Sequence, residues 1–202
     1  MVNSSPGIEF VHVTSGESGI GGRDSINFAR RVKNYSTCSN LAGWAPTESA
    51  TSEILEVSKL TGVNSTLLAA TWRFESGFNY YPESNPNDWT FGNADVGPLQ
   101  INYRTFSGKK ILEGIESDVF GTTTTGQAVF NGVPAINILA GGRILADLST
   151  RHNRSDAAAF YRTGEGDYVK KANGVKQFKL RKSEFDKVAP KYDKFFKCLQ
   201  GK

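Results

Sequence analysis

The sequence contains no run of apolar residues long enough to cross a membrane as a helix. Such a helix needs about 18 to 20 consecutive, mainly apolar residues, and polar residues interrupt every apolar stretch of this chain well before that length. The first residues, MVNSSPGIEFVHVTSGES, also lack the basic and apolar segments of a secretory leader. We therefore expect no membrane span, and either export by another route or a leader that has been removed.

Motifs for metal and nucleic-acid binding are absent as well. The only histidines are His12 and His152, and the only cysteines, Cys38 and Cys198, show no C-x-x-C spacing. A zinc site is therefore not expected, and we predict neither a metal nor a cofactor. No recognisable DNA- or RNA-binding motif occurs, so a nucleic-acid partner is not expected either.

The two cysteines leave two alternatives open. Cys38 and Cys198 lie near opposite ends of the sequence, so a disulfide between them would close almost the whole chain. In the chain-entropy model such a bond stabilises the folded state by roughly 5 kcal/mol. The alternative is a pair of free, buried thiols, and the sequence favours neither.

Length and charge indicate one globular body with a basic end. The 202 residues, of which 38% are hydrophobic, suffice for one sizeable core and a small appendage. The net charge is +4, but residues 170–202 carry eleven Lys or Arg against three acidic residues, which gives +8 there and −4 elsewhere. Such a segment can bind a polyanion, for example an anionic cell-wall polymer, or it can be the solvated face of a helix.

Two consecutive helices are predicted between residues 47 and 77. Thr47 is a suitable N-cap for the first helix, and Gly62 can end it in a left-handed turn. Asn64 is a suitable N-cap for the second helix, which ends at Gly77. The buried face of the first helix is predicted from its apolar residues, Ile54, Leu55, Val57 and Leu60.

Three further helices are predicted in the second half of the chain. A central packing helix begins after Gly132, and its Gly141 and Gly142 allow another helix to approach closely. Ser155 is predicted to cap a short helix. A final amphipathic helix is predicted to bend or restart near Pro190.

Glu75 is an acidic residue on an otherwise apolar helix face. It lies in the last turn of the second helix, three residues after Trp72 and seven after Leu68. Burial beside an indole and the negative end of the helix dipole both disfavour ionisation, so its pKa should be raised. A carboxylic acid that keeps its proton near neutral pH is suited to general acid catalysis. The alternative is a surface glutamate beside a core stripe.

A second carboxylate, Asp95, follows twenty residues later. Extended pieces on either side of residues 92–93 predict a small β-hairpin that would bring Asp95 back across from Glu75. Its surroundings are polar, namely Asn93, Gln100 and Asn102. Two carboxylates in unlike environments are the pattern expected for cleavage of a glycosidic bond.

Two sets of motifs resemble one enzyme superfamily. Residues 74–79, FESGFN, followed by residues 95–104, DVGPLQINYR, resemble chicken-type lysozyme, in which F-E-S-x-F-N precedes D-x-G-x-L-Q-I-N-x-R. Asn137-Ile138-x-x-Gly141 and Tyr161-Arg-Thr-Gly164 are similar to the lytic transglycosylases of the same superfamily. The combined resemblance covers roughly residues 48–170.

The resemblance implies an α+β, mostly α-helical fold with two lobes, a small β-hairpin lobe and a helical lobe. Residues 46–202 would form the catalytic domain with a basic C-terminal helix, and residues 1–45 an N-terminal extension of unknown role. Glu75 would be the general acid and Asp95 the second carboxylate, with no cofactor. The residues predicted to bind substrate are Asn79, Asn93, Gln100, Asn102 and Tyr161.

The predicted activity is that of a muramidase, which hydrolyses the bond between N-acetylmuramic acid and N-acetylglucosamine in peptidoglycan. We expect a monomer that is secreted, periplasmic or delivered to the cell wall and whose partner is the glycan strand. Asp95 favours hydrolysis, because lytic transglycosylases usually have a small residue there. Two features depart from the relatives: Arg162 replaces the Asn of the transglycosylase Tyr-Asn-x-Gly loop, and the dense cysteine framework of animal lysozymes is missing.

Three alternatives remain open at the level of sequence. The first is a lytic transglycosylase that gives anhydro-muramyl products. The second is a non-catalytic, lysozyme-like binding or regulatory module. The third is a relative that degrades chitin or chitosan rather than peptidoglycan.

Overall fold

A computed structural model of the chain describes residues 8–9, 31–82, 95–102, 105, 110–112, 134–165 and 171–201. This part is mostly helical, with two small antiparallel sheets of two strands each. The strands are β1 (Ile8–Glu9), β2 (Arg31–Val32), β3 (Asp95–Val96) and β4 (Ile101–Asn102). The helices are α1 (Tyr35–Cys38), α2 (Glu48–Thr61), α3 (Ser65–Ser76), α4 (Pro134–Arg151), α5 (Arg154–Thr163) and α6 (Ala172–Leu199), and short 3₁₀ turns cover Ser39–Leu41 and Lys110–Leu112.

The caps of α2 and α3 are the predicted ones. The Thr47 hydroxyl accepts a hydrogen bond from the Ala50 amide, and the Asn64 side chain accepts one from the Leu67 amide. Gly62 and Gly77 end the two helices with positive φ angles of 77° and 63°. Ile54 and Val57 are buried as predicted. The predicted burial of Leu60 is wrong, since this residue is 67% exposed in the last turn of α2.

Helix α4 packs against α2, α3 and α5, and its two adjacent glycines face different neighbours. A β-carbon at Gly142 would lie 2.4 Å from Val57 of α2, so this glycine permits the expected close helix contact. A β-carbon at Gly141 would lie 2.1 Å from Leu99 instead. Helix α4 therefore contacts α2 on one side and the β3–β4 turn, residues 97–100, on another.

The predicted cap of α5 is wrong, and so is one of the two alternatives predicted for Pro190, the restart. Asn153, rather than Ser155, caps α5 by accepting a hydrogen bond from the Asp156 amide, while the Ser155 hydroxyl donates to Asp186 of α6. No restart occurs at Pro190, because α6 continues through it. Buried residues on both sides of this proline hold the two halves of the helix on the core, which offsets the missing hydrogen bond: Phe185, Ala189, Tyr192, Phe195, Phe196 and Leu199.

The segment from Val32 to residue 46, most of which lies in the predicted N-terminal extension, packs against the helices. Val32 is buried, and its amide donates to Glu48 of α2 at 2.7 Å. The hydroxyl of Tyr192 in α6 donates to the backbone carbonyl of Trp44. Cys38 is fully buried and forms a disulfide with Cys198, which decides between the two alternatives for the cysteines.

The hairpin predicted around residues 92–93 lies outside the described residues, apart from Asp95 and Val96 at its end. The described hairpin is the next one along, in which Asp95 pairs with Asn102 and Val96 with Ile101. No helix in the described ranges is both long and apolar enough to cross a membrane.

The disulfide should contribute strongly to stability, because it joins α1 to the end of α6 across 160 residues. Reduction, or replacement of both cysteines by alanine, should lower the free energy of unfolding by about 2–5 kcal/mol. Urea unfolding followed by circular dichroism, with and without reductant, measures the change. The double-alanine variant is the control, since it should not respond to reductant. Equal stability of all four samples would contradict the prediction.

Candidate active site

Glu75 lies at the end of α3, where the chain reverses direction. Gly77 and Phe78 both have positive φ angles, 63° and 64°, and Phe78 is buried against the ring of Trp72. A phenylalanine rarely adopts this backbone conformation, so packing must hold it there. The side chain of Glu75 retains only 17% of its exposure. The sharp turn thus leaves the carboxyl largely shielded from water.

The β3–β4 turn is fastened to the helices by side chains from three of them. The side-chain amide of Asn137 in α4 donates to the Val96 carbonyl and accepts from the Leu99 amide, both at 2.8 Å. From α3, the Ser76 hydroxyl donates to the Pro98 carbonyl at 2.7 Å. From α5, the Tyr161 hydroxyl donates to the Leu99 carbonyl at 2.8 Å. These bonds hold the turn next to the end of α3.

Asp95 and Asn102 face each other across the β3–β4 pair. The Asn102 side chain donates to Asp95 Oδ1 at 3.0 Å. The Asn102 oxygen accepts from both the amide and the hydroxyl of Thr105, which fixes the orientation of its amide group. Asp95 is solvent-exposed, so it occupies the polar environment that the sequence predicts for the second carboxylate.

The pKa of Glu75 is raised from its ordinary value to about 7, as predicted from its position. Burial is the main cause, and the negative charge of Asp95 adds to it. The charge and hydrogen bond of Arg162 oppose the rise, as does the charge of Arg181, but they do not cancel it. Glu75 is therefore protonated in a substantial fraction of molecules at neutral pH.

Tyr161 is electrostatically coupled to both acids. Its phenol has a pKa raised well above its ordinary value, first by burial and then by the charges of Glu75 and Asp95. The structure therefore brings Glu75, Asp95, Asn102 and Tyr161 into one neighbourhood.

The remaining predicted residues are placed differently. The Gln100 side chain belongs to the β3–β4 turn and donates to the Gly97 carbonyl at 2.9 Å. The Asn79 side chain is exposed and accepts from the Tyr81 amide, so it serves the loop after α3. Asn93 lies outside the described residues.

Two charged residues of the site were not predicted as members. Arg162 donates from Nε to Glu75 at 3.0 Å and from Nη1 to Glu184 of α6 at 2.6 Å. Its guanidinium also lies over the ring of Phe74, 5.0 Å from the centroid. The sequence signal for Arg162 was its place beside Tyr161, at a position where the motif of the lytic transglycosylases has Asn. Nothing in the sequence distinguishes Glu184 from the other charged residues of α6.

No group of three or more His, Cys, Asp or Glu side chains that could hold a metal ion is found within the described part of the chain. A surface pocket of about 430 Å³ contains none of the predicted site residues and is lined by Thr61, Lys110, Ile111, Arg143, Ala146 and Asp147. The candidate site is therefore defined by its acids and their partners rather than by this pocket.

Comparisons with protein-family models, with curated proteins and with solved structures find no match for this chain. The site must therefore be interpreted from its own chemistry.

The raised pKa of Glu75 predicts a pH-dependent cost to stability. Between its ordinary pKa near 4.5 and its folded value of about 7, the folded state holds a proton that the unfolded chain has released. The wild type should therefore lose stability relative to Glu75→Gln as pH rises through this window, by a total on the order of 3 kcal/mol. Urea unfolding of both proteins at pH 4, 6 and 8 measures the difference.

Asp193→Asn is the control of opposite sign. Burial raises the pKa of Asp193, but hydrogen bonds from Arg154 and Thr66 outweigh it, so the net pKa is lowered. Its substitution should cost stability at neutral pH and little at low pH, where the carboxyl is protonated in both states. A pH-independent difference between the wild type and Glu75→Gln would contradict the assignment of Glu75.

Proposed function

We propose that this protein is a glycoside hydrolase that cleaves the glycan strands of peptidoglycan, with a lysozyme-like two-lobed fold. The observation that carries the proposal is the pairing of a shielded acid, Glu75, whose pKa is raised to about 7, with an exposed carboxylate, Asp95, near enough for its charge to act on that acid. Unlike environments for two carboxylates assign them the roles of acid and charge stabiliser.

Glu75 acts as the general acid in this proposal. It donates its proton to the glycosidic oxygen between N-acetylmuramic acid and N-acetylglucosamine as the bond from this oxygen to the anomeric carbon breaks. Ionised Asp95 stabilises the positive charge that develops on the sugar, or attacks the anomeric carbon directly. Water then supplies the new hydroxyl, and its proton returns to Glu75.

The β3–β4 turn supplies the rigid support that such chemistry needs. Asn137, Ser76 and Tyr161 hold its backbone from three helices, and Asn102 holds the carboxylate of Asp95. Catalytic groups fixed in this way need no rearrangement when substrate binds. Asn79, Asn93, Gln100 and Asn102 are the proposed contacts to sugar.

The proposed place of action is the cell wall. The protein would be secreted, periplasmic or delivered to the wall. The Cys38–Cys198 disulfide supports this proposal, because disulfides persist mainly in oxidising compartments. The basic α6 is suited to anionic wall polymers, and the protein is proposed to act as a monomer without a nucleic-acid partner.

A lytic transglycosylase is the second candidate, and Tyr161 is the observation that favours it. The phenol of Tyr161 is held beside both acids by its bond to Leu99, and this tyrosine resembles the aromatic residue of the transglycosylases. Such an enzyme would use the substrate's own hydroxyl instead of water. Asp95 would then take no part in bond cleavage.

Glu75→Gln should lower lysis of purified cell walls by about 10²–10⁴-fold, because the amide cannot donate the required proton. Turbidity loss of a peptidoglycan suspension measures the rate. Asp147→Asn on α4 is the control, because this exposed carboxyl pairs with Arg151, and it should lyse walls at the wild-type rate. Undiminished lysis by Glu75→Gln would rule out the proposed mechanism.

Mass spectrometry of the products distinguishes the two candidate reactions. Hydrolysis gives reducing ends, and we expect these together with a loss of about 10²-fold in Asp95→Asn, which removes a stabilising charge. Products lighter by one water, with an active Asp95→Asn variant, would identify a transglycosylase.

Parallel digestion of chitin oligomers tests the alternative substrate. Binding of walls without any cleavage would identify a non-catalytic module.

A further inference from the structure

Arg162 connects Glu75 to a third acid that the proposed reaction does not use. Its Nε–H group points at Glu75 Oε1, 3.0 Å away, and its Nη1 group contacts Glu184 Oε2 at 2.6 Å. Only 13% of the arginine side chain and 29% of the Glu184 side chain are exposed. We call this arrangement the Glu75–Arg162–Glu184 network.

The geometry uses properties that are specific to arginine. A guanidinium group presents several N–H donors in a fixed plane, so it can bond to two carboxylates on different helices at once. The ring of Phe74 beneath the guanidinium restricts its position further. A lysine carries the same charge on a single nitrogen and lacks this fork.

Glu184 pairs with the same guanidinium that contacts Glu75. It is bound by Arg162 and also by Arg181, whose Nη1 lies 3.1 Å from Glu184 Oε2. Burial raises the pKa of Glu184, but its bonds to both arginines outweigh burial and lower it, so Glu184 is ionised at neutral pH. Its negative charge offsets that of Arg162, which would otherwise act on Glu75 alone.

The charged or titratable groups that interact with Glu75 come from three elements: Asp95 of β3, Tyr161 and Arg162 of α5, and Arg181 of α6. Glu184 of α6 contacts Arg162 rather than Glu75 itself. Of these, Arg162 is the group with a direct ion pair to Glu75. We propose that Arg162 is a positioning residue which orients the Glu75 carboxyl, and that Glu184, by sharing its charge, sets the pH range in which Glu75 can act as an acid. This inference rests on the proposed function, which assigns Glu75 its role.

Two substitutions should move the titration of Glu75 in opposite directions. Arg162→Gln removes the positive charge, so the pKa of Glu75 should rise by about one unit or more. Glu184→Gln keeps an oxygen that can accept from Arg162 but removes the offsetting charge, so the pKa of Glu75 should fall. Arg162→Lys should give a value between those of the wild type and Arg162→Gln.

The measurement is a carboxyl ¹³C NMR titration of the full chain labelled at glutamate, with the Glu75 signal identified by its loss in Glu75→Gln. Arg154→Gln is the matched control, because Arg154 is also in α5 and pairs with Asp193 away from the site. It can lower the melting temperature but should leave the titration of Glu75 unchanged. The alkaline limit of wall lysis should shift with the titration, upward for Arg162→Gln and downward for Glu184→Gln.

The titration tests the role of the network, and the lysis assay tests the proposed function, so the two proposals can be rejected independently. Shifts of the Glu75 signal in the same direction in both variants, or no shift in either, would overturn the network's proposed role even if the walls are lysed. Opposite shifts without lysis at any pH would instead overturn the proposed function and leave the electrostatic coupling in place.

Discussion

The candidate site depends on the contact between Asn137 and the backbone of the β3–β4 turn. Asn137 is fully buried in α4, and its amide satisfies one donor and one acceptor of the turn. An unpaired buried amide group costs about 1–3 kcal/mol, so the turn cannot move away without a penalty. Gly97 and Gly141 allow this approach, since a β-carbon on either would overlap its neighbour. The position of Asp95 follows from this contact.

The charge state of Glu75 results from two opposing effects. Burial favours the protonated acid and the ion pair with Arg162 favours the carboxylate, and burial is the larger effect. A partly buried ion pair of this kind is weak support for stability, because desolvation offsets much of its attraction. The stability of the fold around the site must therefore come from other features, namely the disulfide and the aromatic residues of α6. A local cost to stability, such as the desolvation of this ion pair, is typical of functional sites.

The parts of the fold that could be predicted are those fixed by local chemistry. Thr47 and Asn64 cap the amides three residues ahead, so a few adjacent letters contain the signal. Ser155 and Asn153 are both good caps, and only contact with α6 decides that the serine bonds to Asp186 instead. The exposure of Leu60 similarly depends on what covers the end of α2, which periodicity does not reveal.

The acids of the candidate site could be predicted from the sequence, but the residues that pair with them could not. The shielding of Glu75 followed from its place on the apolar face of α3, whereas Arg162 is 87 residues away in sequence, and spacing carries no information at that distance. The resemblance did single out position 162, but only as a departure from Asn. An asparagine there would be neutral, whereas arginine adds a charge that favours ionisation of the neighbouring acid. Burial outweighs this charge, and in the proposed network Glu184 of α6 weakens it further by pairing with the same guanidinium.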